Sequence, residues 1–412
     1  MIKEKPLNGV YIAQDLPEFD WNELFSSKYQ DQFNQFIDQN FGFRPFLIRL
    51  FNQVDYSVFN KSHGSGIVIG KKNYLFELWY IDAFTGSDFS GRDSIAEKVR
   101  KLEIINKYLN HYNTKFLIVI APGKGHYYPE LIPELYLKFQ QKTNYDYYDE
   151  FFNNTTLQVL DFNNWFVQMK DTVKYPLFSQ TGTHWSEYGA ALAADSIIRK
   201  IEVLLNKNLK NVKWDQVKLS ETPNAADNDL ENLMNLFYPI HEYTLAYPVF
   251  KEDTDFDLSS PKTITIADSF FWQLIEGRFL ISFDYLEFWY YYNSVYPEST
   301  EEKITVREID VLDRMINTDV VLLEFSTSNL RDFGSGFIED VYRIFTDTEY
   351  LKSRKTINII RRIKASPEWM KDIMEKAQNN NIPLDSMIFL DAQYIAEMEI
   401  ADLHLPGIDQ LQ

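Results

Sequence analysis

The chain has 412 residues, 45% hydrophobic and 25% charged, an ordinary globular composition with room for one large domain or two. Its formal net charge of −19 repels a phosphate backbone, which argues against nucleic acid and against an anionic membrane surface. It has no cysteine, so disulfides, thiol catalysis and cysteine-ligated metals are excluded.

Along the chain, Met1 to Pro6 shows no signal peptide and reads as a start cut inside a longer protein, with a leader or N-terminal membrane anchor expected before it. No apolar run reaches the length of a membrane-spanning helix. Leu24, Phe25, Tyr29, Phe33, Phe36 and Ile37 recur at helical spacing. Phe41-Gly42-Phe43-Arg44-Pro45 interrupts that helix, and a second runs from Phe46 to Phe59. Gly66 to Gly70 and Tyr74 to Phe76 read as short strands around a Lys71-Lys72-Asn73 turn. Ser94 to Tyr112 reads as an amphipathic helix with Ser94 and Glu97 as a capping box. Phe116 to Ala121 is continuously apolar, as in a parallel strand buried on both faces. It ends in Pro122-Gly123-Lys124-Gly125, whose glycine spacing does not fit a phosphate loop; Lys124 is read as structural or substrate-positioning. Val159 to Phe162 is another short strand.

Thr181-Gly182-Thr183-His184-Trp185-Ser186 leads into a helical run from Tyr188 to Leu205, with Ser186 as N-cap. His184 thus sits on a loop at a helix entrance. Asn206 to Pro261 reads as irregular and polar, and Asp227-Asn228-Asp229-Leu230 within it as a solvated loop or helix start. Thr263 to Ala267 is a β-branched strand running into Asp268-Ser269. A serine on a strand-to-helix turn can expose a nucleophile, and histidine is the usual base that takes its proton. An aromatic block from Phe283 to Tyr296 follows, then a buried strand from Asp319 to Phe325 ending in Ser326-Thr327-Ser328-Asn329. The tail from Lys355 is helical, with Trp369, Ile373 and Ala377 on one face. Strands alternating with helices predict a three-layer α/β/α sandwich with a mostly parallel sheet. The division expected is a helical segment at 1–60, the main domain at 61–350 and a helical appendage at 351–412. No histidine pair stands at i, i+4, so no metal site is read, and no cofactor is expected.

Several short motifs stand in a set order. They are Phe41-Gly42-Phe43-Arg44, then Gly70 to Phe76, then Pro122-Gly123-Lys124 followed by Tyr128-Pro129-Glu130, then the His184 and Ser269 motifs. In this the chain resembles the SGNH hydrolase superfamily, and within it the alginate O-acetyltransferase (AlgJ/AlgX-like) family. The resemblance covers Trp21 to Leu330. His184 precedes Ser269 by about 85 positions, which implies the circularly permuted form of the fold.

The resemblance implies Ser269 as the nucleophile, His184 as the base, and the Ser269 backbone N–H with the Asn329 side chain as oxyanion donors. Asn293 is the alternative asparagine. Lys124, Tyr128, Trp185 and Trp272 are expected to line the substrate groove, with Trp289 as a further aromatic. Where the family places an aspartate two residues before the histidine, this chain has Gly182. Three explanations stand open. A backbone carbonyl holds the imidazole; another acid does so, Asp268, Asp229 or Glu324; or the protein binds glycan without catalysis. Asp268 also has a structural reading, as a strand-end carboxylate on neighbouring backbone N–H groups. The implied activity is O-acetyl transfer to a cell-envelope or exported polysaccharide. The donor side would be an integral-membrane acyltransferase and the location periplasmic. An acetylesterase with the same residues is the alternative. The acidic charge argues against a polyanionic acceptor such as alginate.

Overall fold

A computed structural model of the chain describes residues 6–9, 15–40, 42–251, 258–297, 303–403 and 405–411. Strands β1 (Ile67–Ile69) and β2 (Leu75–Glu77) pair as an antiparallel hairpin. Strands β3 (Lys115–Ala121) and β4 (Val159–Asp161) belong to the main sheet. Strands β5 (Lys213–Ser220) and β6 (Leu245–Lys251) form a separate antiparallel ribbon. Strands β7 (Lys262–Ala267), β8 (Tyr285–Tyr290), β9 (Ser294–Tyr296) and β10 (Val320–Ser326) complete the main sheet. Its order is β4-β3-β10-β7-β8-β9, and every neighbouring pair is parallel except β8 with β9.

The apolar runs in β3 and β10 follow from this order. Both strands are interior and covered on both faces, so residues of either parity are buried. Phe116, Ile118, Ile264, Val321 and Leu323 pack in one layer with the helices Arg92–His111 and Phe337–Thr346. Leu117, Val119, Leu322 and Phe288 pack in the opposite layer with the helices Phe162–Met169 and Glu187–Leu205. The molecule is the expected α/β sandwich with a mostly parallel sheet.

The helix Glu187–Leu205 begins as its sequence requires. The Ser186 hydroxyl accepts from Gly189 N (3.1 Å) and donates to the Pro176 carbonyl (2.7 Å). Gly189 and four alanines form its buried N-terminal half, and a Cβ at Gly189 would lie 2.8 Å from the Leu177 carbonyl oxygen. The helix Arg92–His111 buries the expected stripe of Ile95, Val99, Leu102, Ile105 and Leu109. Ser94 does not cap it. The chain enters at Gly91, whose φ of +98° suits glycine, so the helix starts before Ser94 is reached.

Asn206 to Pro261 is not irregular throughout, as its polar composition suggested. It contains the β5–β6 ribbon and the helix Asp229–Met234. Three helices, Thr348–Ala365, Pro367–Asn380 and Leu384–Leu403, close the chain around Ile359, Ile363, Ile373 and Ala392. The helices Ser27–Asn40 and Arg44–Phe59 open it, and Asn52 Nδ2 ties the second to the Met234 carbonyl (2.8 Å). Phe41, the first residue of the Phe-Gly-Phe-Arg motif, lies outside the described residues.

Candidate active site

The carboxyl ends of β7, β8 and β10 lie side by side, where open parallel sheets bind ligands. The chain leaves β7 at Asp268 and presents Ser269 just before the helix Phe271–Glu276. It leaves β8 at Tyr291 and β10 at Ser326, which leads to Asn329. The loop before Glu187–Leu205 brings His184 over this edge, with Phe270 packed edge-on against its ring at 4.9 Å. A cleft of about 360 Å³ opens above Ser269, His184, Asp229, Tyr291 and Asn329.

His184 Nε2 stands 2.9 Å from Ser269 Oγ. Its Nδ1 stands 3.1 Å from Asp229 Oδ2. Asp229 opens the helix Asp229–Met234, and its other oxygen accepts from the backbone N–H groups of Thr183 (2.9 Å) and Leu230 (2.8 Å). The carboxylate is thereby locked against the histidine loop. Of the two ways considered for holding the imidazole without an aspartate at 182, a backbone carbonyl or an acid from elsewhere, the geometry has the acid, Asp229, at Nδ1. Gly182 itself has no room for a side chain. A Cβ there would lie 2.6 Å from both the Ala226 carbonyl oxygen and Ser179 Oγ. The space an aspartate would need is filled by the segment that delivers Asp229.

Asp268 and Glu324 do not orient the histidine. Asp268 Oδ2 accepts from Ser326 N and Asn329 Nδ2, both at 2.7 Å, and Oδ1 from Phe270 N at 2.9 Å. It clips the end of β7 to the end of β10 and spends one Asn329 N–H, fixing that amide at the edge of the cleft. Glu324 is buried within β10; burial, then the charge of Asp268, pushes its carboxyl well up.

Several expected site residues stand away from the cleft. Trp185 is fully buried (0% exposed) among Phe162, Phe166 and Phe270. Trp272 packs on Phe288 and Tyr296, away from the cleft. Tyr128 stacks edge-on with Tyr74 under the Lys170 ammonium. Asn293 lies in the exposed turn between β8 and β9, so it is not an oxyanion donor here. Trp289, the further aromatic, is also core. These rings were drawn to the core by their apolar area, which composition alone does not distinguish from a sugar-binding face.

Lys124 is a strut rather than a substrate ligand. It is 1% exposed, and its Nζ donates to the carbonyls of Gln180 (2.9 Å) and Gly182 (2.6 Å). Burial lowers its pKa to about 7, with the charges of Asp229, Glu77 and Asp227 opposing. Lys124→Met is expected to destabilise the protein by about 1–3 kcal/mol, because the Gly182 carbonyl loses a buried donor. Urea unfolding would read this, and activity should fall with it as the loop before His184 loosens.

Residues that the sequence reading missed complete the cleft: Glu77 at the end of β2, Trp79 two residues on, and Tyr291. Glu77 directly follows the Tyr74-Leu75-Phe76 motif, and an acid at a strand end was the available signal. Tyr291 and Tyr292 have φ of +47° and +49°, costly for bulky side chains. That strain turns the Tyr291 hydroxyl toward Asn329 Nδ2 (3.5 Å). Among the described residues, no cluster of three His, Asp or Glu side chains is placed to hold a metal ion.

Residues 67–254 match the family model described as the SGNH hydrolase-like domain of the acetyltransferase AlgX. Over these residues the chain is similar to the alginate O-acetyltransferase-like SGNH family. A protein described as a probable alginate O-acetylase AlgJ from Azotobacter vinelandii is 22% identical over 179 residues, 43% of this chain and 44% of that protein. One of the same description from Pseudomonas aeruginosa is 24% identical over 198 residues, 47% of this chain and 46% of that protein. The matches thus span less than half of each relative. The solved O-acetyltransferase domain of Pseudomonas putida AlgJ aligns with 68% of this chain and 99% of its own, at 16% identity and a TM-score of 0.45.

Proposed function

We propose that this SGNH-like chain transfers an acetyl group from an ester or thioester donor to a polysaccharide hydroxyl, through an ester on Ser269. The unbroken contact series from Ser269 Oγ to His184 to Asp229 carries this reading. The donor's carbonyl carbon is attacked by Ser269 Oγ while its proton passes to His184 Nε2. Asp229 stabilises the imidazolium and keeps Nδ1 as the donor. The oxyanion is met by the Ser269 N–H and the second N–H of Asn329. The tetrahedral intermediate expels the donor's leaving group, which takes the proton from His184. An acceptor hydroxyl then attacks the Ser269 ester and gives its proton to His184. The bond from acetyl carbon to Ser269 Oγ breaks, and that proton returns to Oγ.

The family's activity supports an acetyltransferase, and a cell-envelope setting with the donor supplied by an integral-membrane acyltransferase belongs to the same proposal. No helix among the described residues is long and apolar enough to cross a membrane. The test is brief exposure to p-nitrophenyl acetate followed by intact-mass analysis. One added acetyl group, located by peptide mapping on Ser269, is the expected result. No added acetyl, or one located elsewhere, overturns the reading. Water alone discharging the ester, with no acceptor sugar competing, would make the protein an acetylesterase.

The pH profile is a second check. Burial pulls the His184 pKa down, but the hydrogen bond to Asp229 and the charges of Asp229, Asp268 and Glu77 outweigh it, and the net shift is upward. The base must be neutral, so activity is lost as pH falls through this raised pKa. The acid limb of kcat/KM for p-nitrophenyl acetate is therefore expected above about 6.5, the ordinary histidine value. A limb below that value would contradict the assignment.

A further inference from the structure

Beside Asp229, the mouth of the cleft holds a second carboxylate and an indole that no step of the acyl transfer uses. Glu77 and Asp229 both line it, and among the described residues around it there is no lysine or arginine. Lys124, the cation whose pKa these acids influence, is buried and donates to backbone carbonyls behind the histidine loop. The whole chain adds a net charge of −19. Beside Glu77 stands Trp79, 47% exposed, the sole tryptophan lining the cleft among the described residues. Its ring rests against Gly66, where a Cβ would lie 2.9 Å from Cζ3. The indole is therefore backed by bare backbone while much of its surface stays open.

We propose that Glu77 and Trp79 form the acceptor subsite and select an uncharged sugar ring of a glycan, excluding a polyuronate. The sugar's apolar face stacks on Trp79, and a ring hydroxyl donates to the Glu77 carboxylate, which brings a neighbouring hydroxyl toward the acetylated Ser269. A carboxylated sugar in the same place would set like charges together in a partly dry cleft. This rests on the reading of Ser269 as the acetyl carrier, and it separates the acceptor of this chain from alginate, a polyuronate. Burial raises the Glu77 carboxyl to about 6, with the Asp229 charge adding, so it is mostly ionised at neutral pH and able to accept.

Binding can be measured without turnover. The full chain is titrated calorimetrically with hexasaccharides of glucose, mannose, galactose and N-acetylglucosamine, and with the mannuronate hexasaccharide at the same ionic strength. Trp79→Ala, Glu77→Gln and Glu77→Lys are titrated in parallel, each first checked for native circular dichroism. At least one neutral hexamer should bind about tenfold or more tighter than mannuronate. Trp79→Ala should weaken that binding about tenfold, and Glu77→Lys, or Glu77→Gln to a smaller degree, should narrow the gap to mannuronate. Mannuronate binding as tightly as the best neutral hexamer, no neutral hexamer binding, or a gap unmoved by both Glu77 variants overturns the proposal. Acetylation of Ser269 is followed separately by mass. Its failure beside the expected binding pattern sinks only the acyl-transfer reading, whereas acetylation beside an inverted pattern sinks only the acceptor assignment.

Discussion

Asp229→Asn is expected to lower kcat about 10⁴-fold while leaving the fold intact. The two side chains have the same shape, and the amide oxygen can keep the backbone N–H groups of Thr183 and Leu230. The amide nitrogen then faces His184 Nδ1, where a carboxylate oxygen stood at 3.1 Å. An amide donates there, so Nδ1 must become the acceptor and the ring proton moves to Nε2. Nε2–H then points at Ser269 Oγ and cannot take its proton. The measurement is steady-state turnover of p-nitrophenyl acetate beside thermal melting. A fall of less than about tenfold with an unchanged melt would show that Asp229 does not set the tautomer.

Ser269→Ala and His184→Ala should each cost on the order of 10⁶-fold in kcat, and the double variant no more than either alone. The two groups act as one unit across a 2.9 Å contact, so removing either leaves the other with nothing to do. Additive losses would mean two independent contributions and would exclude a shared proton. A residual rate in His184→Ala far above that of Ser269→Ala would assign the base elsewhere.

The layers of the fold were legible because β3 and β10 are interior strands whose burial on both faces leaves a nearly continuous apolar run, and β7 between β10 and β8 shows as a β-branched one. That Ser269 and His184 meet was legible because each stands where one element hands over to the next, in a motif that carries the resemblance. The β5–β6 ribbon was not. Most of β5 is exposed, so no hydrophobic alternation marks it. Asp229 was named only as one of three alternative acids, since it lies 45 positions from His184 in a stretch read as irregular. The tryptophans misled for a physical reason. Trp185 sits beside the histidine in sequence but turns into the core, whereas Trp79, in the mainly apolar helix Leu78–Thr85, stays at the surface.

The crowding at Gly182 has a further consequence. Because backbone from the Ala226–Asp227 turn occupies that space, the proposed base, acid and nucleophile come from three successive stretches of chain. The middle stretch contributes little to the central sheet, yet it supplies the acid. On the proposed mechanism the arrangement is an interlock: until that middle stretch has seated against the histidine loop, a molecule folded everywhere else would lack its acid.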